Sequence, residues 1–237
     1  MTVPYGEPFY ADRQQATRHA AERLLALVAE HISFARVADV GYGTGTWLAA
    51  AMRLGADEAF GYEGDWVDRT QLDDDRIVLA AVDLEHTLTG AKVDLAISLE
   101  VAEHLSEARA ESFIDDLCAM SPAILFGAAI PGQGGVNHIN EQWQSYWALK
   151  FASRGFGAFD IIRPRIWSDD AIPPWYRQNP ILFLAGTMER PAGLQPVSEL
   201  GTLDIVHPAF WERANRELKY ANALPESEYL KLGRSGI

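Results

Sequence analysis

Short apolar runs alternate along the chain with longer segments whose apolar residues recur every three or four positions. The runs predict seven strands, which end near residues 40, 62, 82 and 99 or cover residues 123–129, 155–162 and 181–185. The periodic segments predict helices over residues 12–29, 47–54, 107–120, 143–151 and 209–222. Residues 163–180 carry four prolines and are predicted to be irregular. Alternation of this kind is typical of an α/β fold with a parallel sheet and helices on both faces.

A glycine turn joins the first predicted strand to the helix that follows it. Its glycines are Gly41, Gly43 and Gly45. Backbone N–H groups at the start of a helix attract anions and ligand oxygens, and a residue without Cβ lets a ligand approach the backbone closely. The dinucleotide-binding pattern requires a third glycine where this chain has Thr46, so the turn argues against a nicotinamide enzyme.

The spacing G-x-G-x-G after Asp39, and the phrase EVAEHL at residues 100–105, resemble the class I S-adenosylmethionine-dependent methyltransferases. The resemblance implies a Rossmann-like fold with a doubly wound, mostly parallel seven-stranded sheet. The seventh strand would be an antiparallel edge strand beside the sixth. It also implies S-adenosylmethionine (SAM) as the cofactor, with the glycine turn under its methionine part and Asp39 holding its ammonium group.

Acidic residues follow the other predicted strands at the ends where ligands of such sheets bind. Glu63 lies about twenty residues past the turn, the distance at which a carboxylate meets ribose hydroxyls. By resemblance, Asp83 and Leu84 meet the adenine, and Glu100 borders the cofactor. Arg13, on the first predicted helix, is a candidate for the methionine carboxylate, and a solvated surface arginine is the alternative.

A histidine in the polar loop after the fifth predicted strand is the candidate catalytic base. An acceptor hydroxyl needs its proton removed during attack. His138 has Asn137, Asn140 and Glu141 nearby in sequence to orient it. His104, in the EVAEHL phrase, is the alternative, and for both a structural hydrogen-bonding role stays open. We predict no required metal, because the chain has neither an Asp-rich motif of metal-dependent O-methyltransferases nor His/Cys spacing for zinc.

Aromatic and basic residues after the loop are candidates for substrate binding. Trp143, Trp167 and Tyr176 are predicted to wall an apolar pocket, with core packing as the alternative. Arg163 and Arg165 stand out in an acidic chain and are candidates for an anionic substrate group. Ion pairs with nearby aspartates are the alternative for both arginines.

The chain has 237 residues, a formal net charge of −13 and one cysteine, Cys118. So acidic a surface repels phosphate backbones, which argues against a nucleic-acid substrate. A single cysteine excludes an internal disulfide and fits a reducing cytoplasm. No segment has the length and apolarity of a membrane span, and the N-terminus lacks the pattern of a signal peptide.

We predict a single domain over residues 1–237. Its parts are an N-terminal lid helix (1–34), a cofactor-binding half (35–130), substrate-side loops and edge strands (131–190) and a C-terminal extension (191–237). Exposed aromatic segments leave a homodimer open.

The predicted function is SAM-dependent methylation of a small molecule, on the hydroxyl of a sugar or natural product and with a histidine base. A polar loop that supplies a histidine and amides suits polyol recognition. The alternatives are N-methylation of an amine or protein, and a non-catalytic SAM-binding protein.

Overall fold

The computed structural model describes residues 7–66, 76–189, 191 and 193–223, with side chains from residue 15 to residue 220 within those ranges. Two compact units are distinguished, Met1–Ile205 and Val206–Ile237, and the first contains the sheet. A single domain over residues 1–237 stays a prediction. Among the described helices, none combines the length and the apolar composition that a membrane crossing requires.

The first unit is organised around a seven-stranded sheet. Its strands are β1 (Arg36–Val40), β2 (Glu58–Glu63), β3 (Ile77–Ala81), β4 (Leu95–Leu99), β5 (Ala123–Gly127), β6 (Phe156–Phe159) and β7 (Ile181–Ala185). The spatial order is β3-β2-β1-β4-β5-β7-β6. Strands β1 to β5 pair in parallel, and β7 runs antiparallel to both of its neighbours. The predicted doubly wound, mostly parallel sheet is therefore confirmed.

The prediction that β7 is an edge strand is wrong. β7 lies between β5 and β6, and β6 forms the edge. The four residues from Ile181 to Leu184 are all buried. An unbroken apolar run is the pattern of a strand covered on both faces, so the sequence of β7 is that of an interior strand.

Helices pack on both faces of the sheet, as predicted. The described helices are α1 (Glu7–Ala29), α2 (Thr46–Arg53), α3 (Ala110–Met120), α4 (Gln144–Ser153), α5 (Arg163–Ile166), α6 (Pro174–Gln178) and α7 (Pro208–Ala223). Leu24 and Leu48 of α1 and α2 belong to one apolar layer, and Phe113 of α3 belongs to the other. Successive residues of β1 alternate between them, with Val37 in the first layer and Ala38 in the second.

Two helical segments differ from the prediction. α1 begins at Glu7, earlier than predicted, and residues 163–180 contain α5 and α6 instead of being irregular throughout. A proline at N1 or N2 begins each of these two short helices. Proline fits the first helical turn, where its missing N–H has no intrahelical partner, so these prolines mark helix starts.

The strand order reverses between β1 and β4. From β1 the chain proceeds to β2 and β3 on one side of the sheet, and from β4 it proceeds to β5 on the other. The loops after β1 and β4 therefore diverge and leave a crevice outside the carboxyl ends of the strands, which is where ligands of doubly wound sheets bind.

Candidate functional site

A cleft of about 700 Å³ lies at the carboxyl ends of β1 to β4. Its wall includes the glycine turn, the end of β2, the segment after β3, the segment after β4 and two residues of the loop after β5, Val136 and Asn137. Pockets of a few hundred cubic ångströms accommodate ligands of cofactor size. The cleft therefore lies where the strand order predicts a ligand site.

The glycine turn forms the floor of this cleft. Gly41, Gly43 and Gly45 have φ angles of +88°, +51° and +74°, in the left-handed region that favours glycine. A Cβ atom on Gly41 would lie 2.2 Å from Cγ2 of Val101. Among the described residues no atom lies within 4 Å of the Cβ position on Gly43, so a ligand finds open space there. Packing against the Val101 side chain and the positive φ both favour glycine at position 41, and Gly43 leaves room for a ligand.

Acidic side chains stand at two neighbouring strand ends. Glu63 lines the cleft, where Oε1 accepts the Gly64 N–H at 2.9 Å and Oε2 lies 3.4 Å from the Gly43 nitrogen. Asp83 and Leu84, just beyond β3, also line it. Each carboxylate oxygen has two lone pairs, so the acids retain acceptor capacity for ligand hydroxyl or amino groups.

Among the described residues, the predicted cofactor residues Asp39 and Gly45 are not part of this wall. Asp39 is 2 % exposed within β1, and burial, with a smaller effect from the charge of Glu63, raises the pKa of its carboxyl well above the usual range. The structure thus places Asp39 in the buried part of β1, two residues before the turn begins. Arg13 belongs to α1, but its side chain lies outside the described residues.

Glu100 lies at the centre of a network of side-chain amides. It follows β4 with a φ of +59° and lines the cleft. Its carboxylate accepts the Gln133 amide at 2.7 Å and the Asn179 amide at 2.6 Å, and Gln178 donates to Asn179 at 2.9 Å. Burial raises the pKa of Glu100 to about 7, although the two amide hydrogen bonds act to lower it. The network fixes the direction of the carboxylate.

Sequence analysis missed the three amide residues of this network. The signal that could have found two of them is a polar Gln–Asn pair shortly before the unbroken apolar run of β7. Polar residues next to a buried strand need hydrogen-bond partners, and the end of a neighbouring strand supplies them here.

The two predicted histidines lie together, although only His104 lines the cleft. Their rings meet edge to face with centroids 4.8 Å apart. Nδ1 of His104 lies 3.2 Å from the Asn137 carbonyl oxygen, and Nδ1 of His138 lies 2.9 Å from Oε1 of Glu141. A carbonyl oxygen only accepts, so Nδ1 of His104 carries the hydrogen and Nε2 keeps the lone pair in the neutral ring. Desolvation lowers the pKa of His104, which favours that neutral form.

Glu141 holds the loop that carries His138. Its two oxygens accept the backbone N–H groups of Gly132 and Gly134, each at 2.7 Å, while Oε1 also contacts His138. Glu141 is thus placed to orient the histidine and does not itself line the cleft.

Glu103 is a further acid beside the histidines. From the sequence it is a candidate base or metal ligand, with capping or orienting of its loop as the favoured alternative. Its side chain is completely buried, and neither carboxylate oxygen has a side-chain hydrogen-bond partner among the described residues. Burial, together with the nearby charge of Glu100, raises the pKa of Glu103 to about 9, although the backbone N–H groups of Glu103 and Ala129 act to lower it. Its carbonyl oxygen accepts the N–H groups of Ile139 and Asn140 at 2.9 and 3.0 Å, which ties the two histidine segments together.

Of the predicted substrate residues, the structure brings Asn137 and Tyr176 to the cleft. Tyr176 packs edge to face on Trp47, with ring centroids 5.3 Å apart. Asn140 is buried, and Trp143 and Trp167 do not line the cleft.

The structure places both predicted arginines in ion pairs outside the cleft wall. Arg163 is 1 % exposed, donates twice to Asp160, and donates to two backbone carbonyls. Arg165 pairs with Glu30 of α1. A guanidinium whose donors are taken by protein groups has little left for a substrate anion, so packing between elements accounts for Arg163.

Comparison with solved structures shows what this architecture is similar to. An O-methyltransferase family protein from Burkholderia thailandensis has a TM-score of 0.56 at 13 % identity, with 77 % of this chain and 59 % of that chain covered. Magnesium protoporphyrin IX methyltransferase from Synechocystis PCC 6803, solved with bound SAM, has a TM-score of 0.54 at 15 % identity, with 78 % and 87 % covered.

A third similar structure is N,N-8-amino-8-demethyl-D-riboflavin dimethyltransferase from Streptomyces davawensis. Its TM-score is 0.51 at 16 % identity, with 75 % of this chain and 57 % of that chain covered. The chain thus spans less than two thirds of the length of the Burkholderia and Streptomyces proteins. No protein family and no curated protein sequence matches the chain. From its sheet order and these likenesses, the chain has the Rossmann-like fold of the class I methyltransferases.

Proposed function

We propose that the protein is a methyltransferase that uses SAM and acts on a small molecule. One observation carries the proposal. The cleft of a methyltransferase fold contains the glycine turn after β1, Glu63 at the end of β2 and Asp83 beyond β3. Three consecutive strand ends therefore present an open backbone surface and two hydrogen-bond acceptors to one elongated ligand. A structural neighbour with bound SAM supports the choice of cofactor.

The proposed acceptor is a hydroxyl group of a sugar or natural product. The acceptor oxygen attacks the methyl carbon of the sulfonium in line with the bond to sulfur. The carbon–sulfur bond breaks, and its electron pair stays on the neutral thioether. The hydroxyl proton passes to a base, for which a neutral imidazole is suited. The protein supplies position and a proton acceptor, while the cofactor supplies the electrophile.

The histidine pair is proposed to supply that base. Nδ1 of His138 contacts Glu141, an arrangement that leaves Nε2 as the proton acceptor when Nδ1 carries the hydrogen. His104 is the alternative, because it lines the cleft and its Nε2 also keeps a lone pair. An amine acceptor is the second candidate, supported by the likeness to a dimethyltransferase of an aminoriboflavin. We further propose a cytoplasmic enzyme, in line with its single cysteine.

Calorimetric titration with S-adenosylhomocysteine, beside NADH, tests the cofactor. We expect micromolar binding of the first and none of the second. Gly43→Ala is expected to weaken binding at least about tenfold, or ~1.4 kcal/mol, since its Cβ fills the open floor. Gly55→Ala is the matched control, because Gly55 also has a positive φ and open space but lies outside the cleft wall. Binding of NADH alone, or equal effects of both variants, would contradict the proposal.

Turnover with a panel of sugars, phenols and amines tests the acceptor. His138→Ala and His104→Ala are expected to abolish hydroxyl methylation while S-adenosylhomocysteine binds with nearly unchanged affinity. Wild-type activity in both variants would remove the histidine pair from the reaction. Activity on amines alone would favour the second candidate.

A further inference from the structure

We propose that Glu103, His104 and His138 bind a divalent transition-metal cation beside the cleft. The three residues, hereafter the Glu–His–His cluster, each offer one ligand atom, and these atoms lie within 4.8 Å of one another. Two of the residues belong to the segment after β4, and the third comes from the loop after β5. From the sequence we predict no required metal, because the two histidines are far apart along the chain and share no metal-binding motif.

The buried carboxylate is the first argument. Glu103 is 0 % exposed, and neither of its oxygens has a side-chain hydrogen-bond partner or a cationic partner among the described residues. Burying a carboxylate without a partner is costly, and buried charges are normally paired or coordinate a metal. No arginine or lysine pairs with Glu103 among the described ion pairs. A cation between Glu103 and the histidines would supply the missing partner.

The orientation of the imidazoles is the second argument. Asn137 offers a backbone carbonyl to Nδ1 of His104, and Glu141 offers a carboxylate oxygen to Nδ1 of His138. Metal-binding histidines commonly donate one ring N–H to a carbonyl or carboxylate, which fixes the tautomer and leaves the other nitrogen free to coordinate. Both partners of that kind are already in place here, and both direct Nε2 to act as the ligand atom.

The geometry needs only a small closure. Ligand atoms at about 2.1 Å from a tetrahedral metal stand roughly 3.4 Å apart, less than the 4.8 Å span of the cluster. Side-chain movements of about 1 Å close that difference, which is within rotamer adjustment. The backbone is already held, because the Glu103 carbonyl accepts two N–H groups of the His138 loop.

Two imidazole nitrogens and one carboxylate oxygen suit Zn²⁺, Fe²⁺, Mn²⁺ or Co²⁺, and three protein ligands leave a coordination position open. His104 lines the cleft, so that position is placed to face an acceptor. This part of the inference rests on the proposed function. A hydroxyl bound to the cation would have a lowered pKa. Nε2 of His138 would then be a ligand instead of the base, so metal dependence of turnover separates the two roles.

The test is Co²⁺ titration of the full-length protein after removal of metals with a chelator, followed by visible absorption and by calorimetry. We expect one Co²⁺ per chain, displaced by Zn²⁺. Glu103→Gln and His138→Ala are expected to weaken binding more than about a hundredfold, and Glu141→Gln about 10- to 100-fold, as for residues that orient ligands. His19→Ala is the control, because His19 is exposed and pairs with Asp169 outside the cluster.

Absence of stoichiometric Co²⁺ binding by the wild type, or equal binding by Glu103→Gln and wild type, would overturn the metal site. S-adenosylhomocysteine affinity, measured on the same samples, shows that each variant is folded and tests the proposed function separately. Metal binding without cofactor binding would contradict the methyltransferase proposal alone. Cofactor binding without metal binding would contradict this inference alone.

Discussion

Substitution of Gly41 by alanine tests whether the glycine turn is dictated by packing as well as by a ligand. Two costs add up. A φ of +88° is strained for any residue with a Cβ, at about 1–2 kcal/mol. The new Cβ would also lie 2.2 Å from Cγ2 and 3.0 Å from Cγ1 of Val101, and overpacking of that kind costs about 1–3 kcal/mol. The expected loss in the free energy of unfolding is therefore about 2–5 kcal/mol.

Two further variants separate these costs. Gly43→Ala carries a positive φ of +51° but meets open space, so only the backbone cost of about 1–2 kcal/mol is expected. Val101→Ala removes both clashing methyl groups. In the double variant with Gly41→Ala, the packing cost should largely disappear and give a coupling free energy of about 1–3 kcal/mol.

Guanidinium unfolding, followed by tryptophan fluorescence and far-UV circular dichroism, measures the free energy of unfolding of the wild type and the four variants. In thermal melts, each kcal/mol corresponds to roughly 2–4 °C for a chain of this size. Equal losses for Gly41→Ala and Gly43→Ala, or strictly additive effects of Gly41→Ala and Val101→Ala, would refute the packing argument. The glycine spacing of the turn would then have to be explained by ligand contact alone.

Three other perturbations test the assignments around the site. Asp116→Ala leaves the buried Arg109 without its carboxylate, so urea unfolding should show a loss of about 3–5 kcal/mol in the free energy of unfolding. The control Glu111→Ala removes a largely exposed carboxylate and should lose less than about 1 kcal/mol. Equal losses in the two variants would contradict a stabilising role of the buried pair. A lysine at position 163 cannot form the four hydrogen bonds of the guanidinium, so Arg163→Lys should lower the melting temperature while KM stays constant. A rise in KM at an unchanged melting temperature would instead support Arg163 as a substrate-binding residue. Burial raises the pKa of the Cys118 thiol to about 12 from an ordinary 9.0, so the thiolate is about a thousandfold rarer than in an exposed cysteine. Thiol labelling at pH 8 should therefore be much slower in the native protein than in the urea-unfolded protein. Similar labelling rates would contradict the burial of the Cys118 side chain.

The sheet was predictable because local signals repeat. The parallel strands are short apolar runs. An acidic residue stands at or just after the ends of β2, β3 and β4, and the G-x-G-x-G turn marks the end of β1. The position of β7 was not predicted because an apolar run of five residues does not state which strands flank it. The unbroken apolar sequence of Ile181–Ala185 is typical of an interior strand, whereas the predicted edge position came from the resemblance to a family.

The candidate site was only partly predictable, because local sequence does not fix tertiary partners. Glu63 and Asp83 stand at strand ends, and both were predicted because ligands of parallel sheets bind at the carboxyl ends of the strands. Arg163 was singled out by its charge in an acidic chain, but its partners come from three separate segments and are visible only in the fold. For the same reason the sequence could not decide whether Glu103 is a base, a metal ligand or a residue that orients its loop, since its lack of a side-chain partner is a property of the packed structure.

The residues that local sequence patterns predict and those that only the fold reveals lie in two different parts of the cleft region. The proposed cofactor half is built from strand ends, whose positions the parallel sheet fixes before any ligand is considered. The proposed acceptor half is built from two loops that depend on each other. Glu103 binds the backbone of the His138 loop, and Glu141 binds both that loop and the histidine itself. Since backbone hydrogen bonds hold this pair of loops together, changing either loop should disturb both histidines. The choice of acceptor is therefore expected to change with the loop as a unit, while SAM affinity stays with the strands.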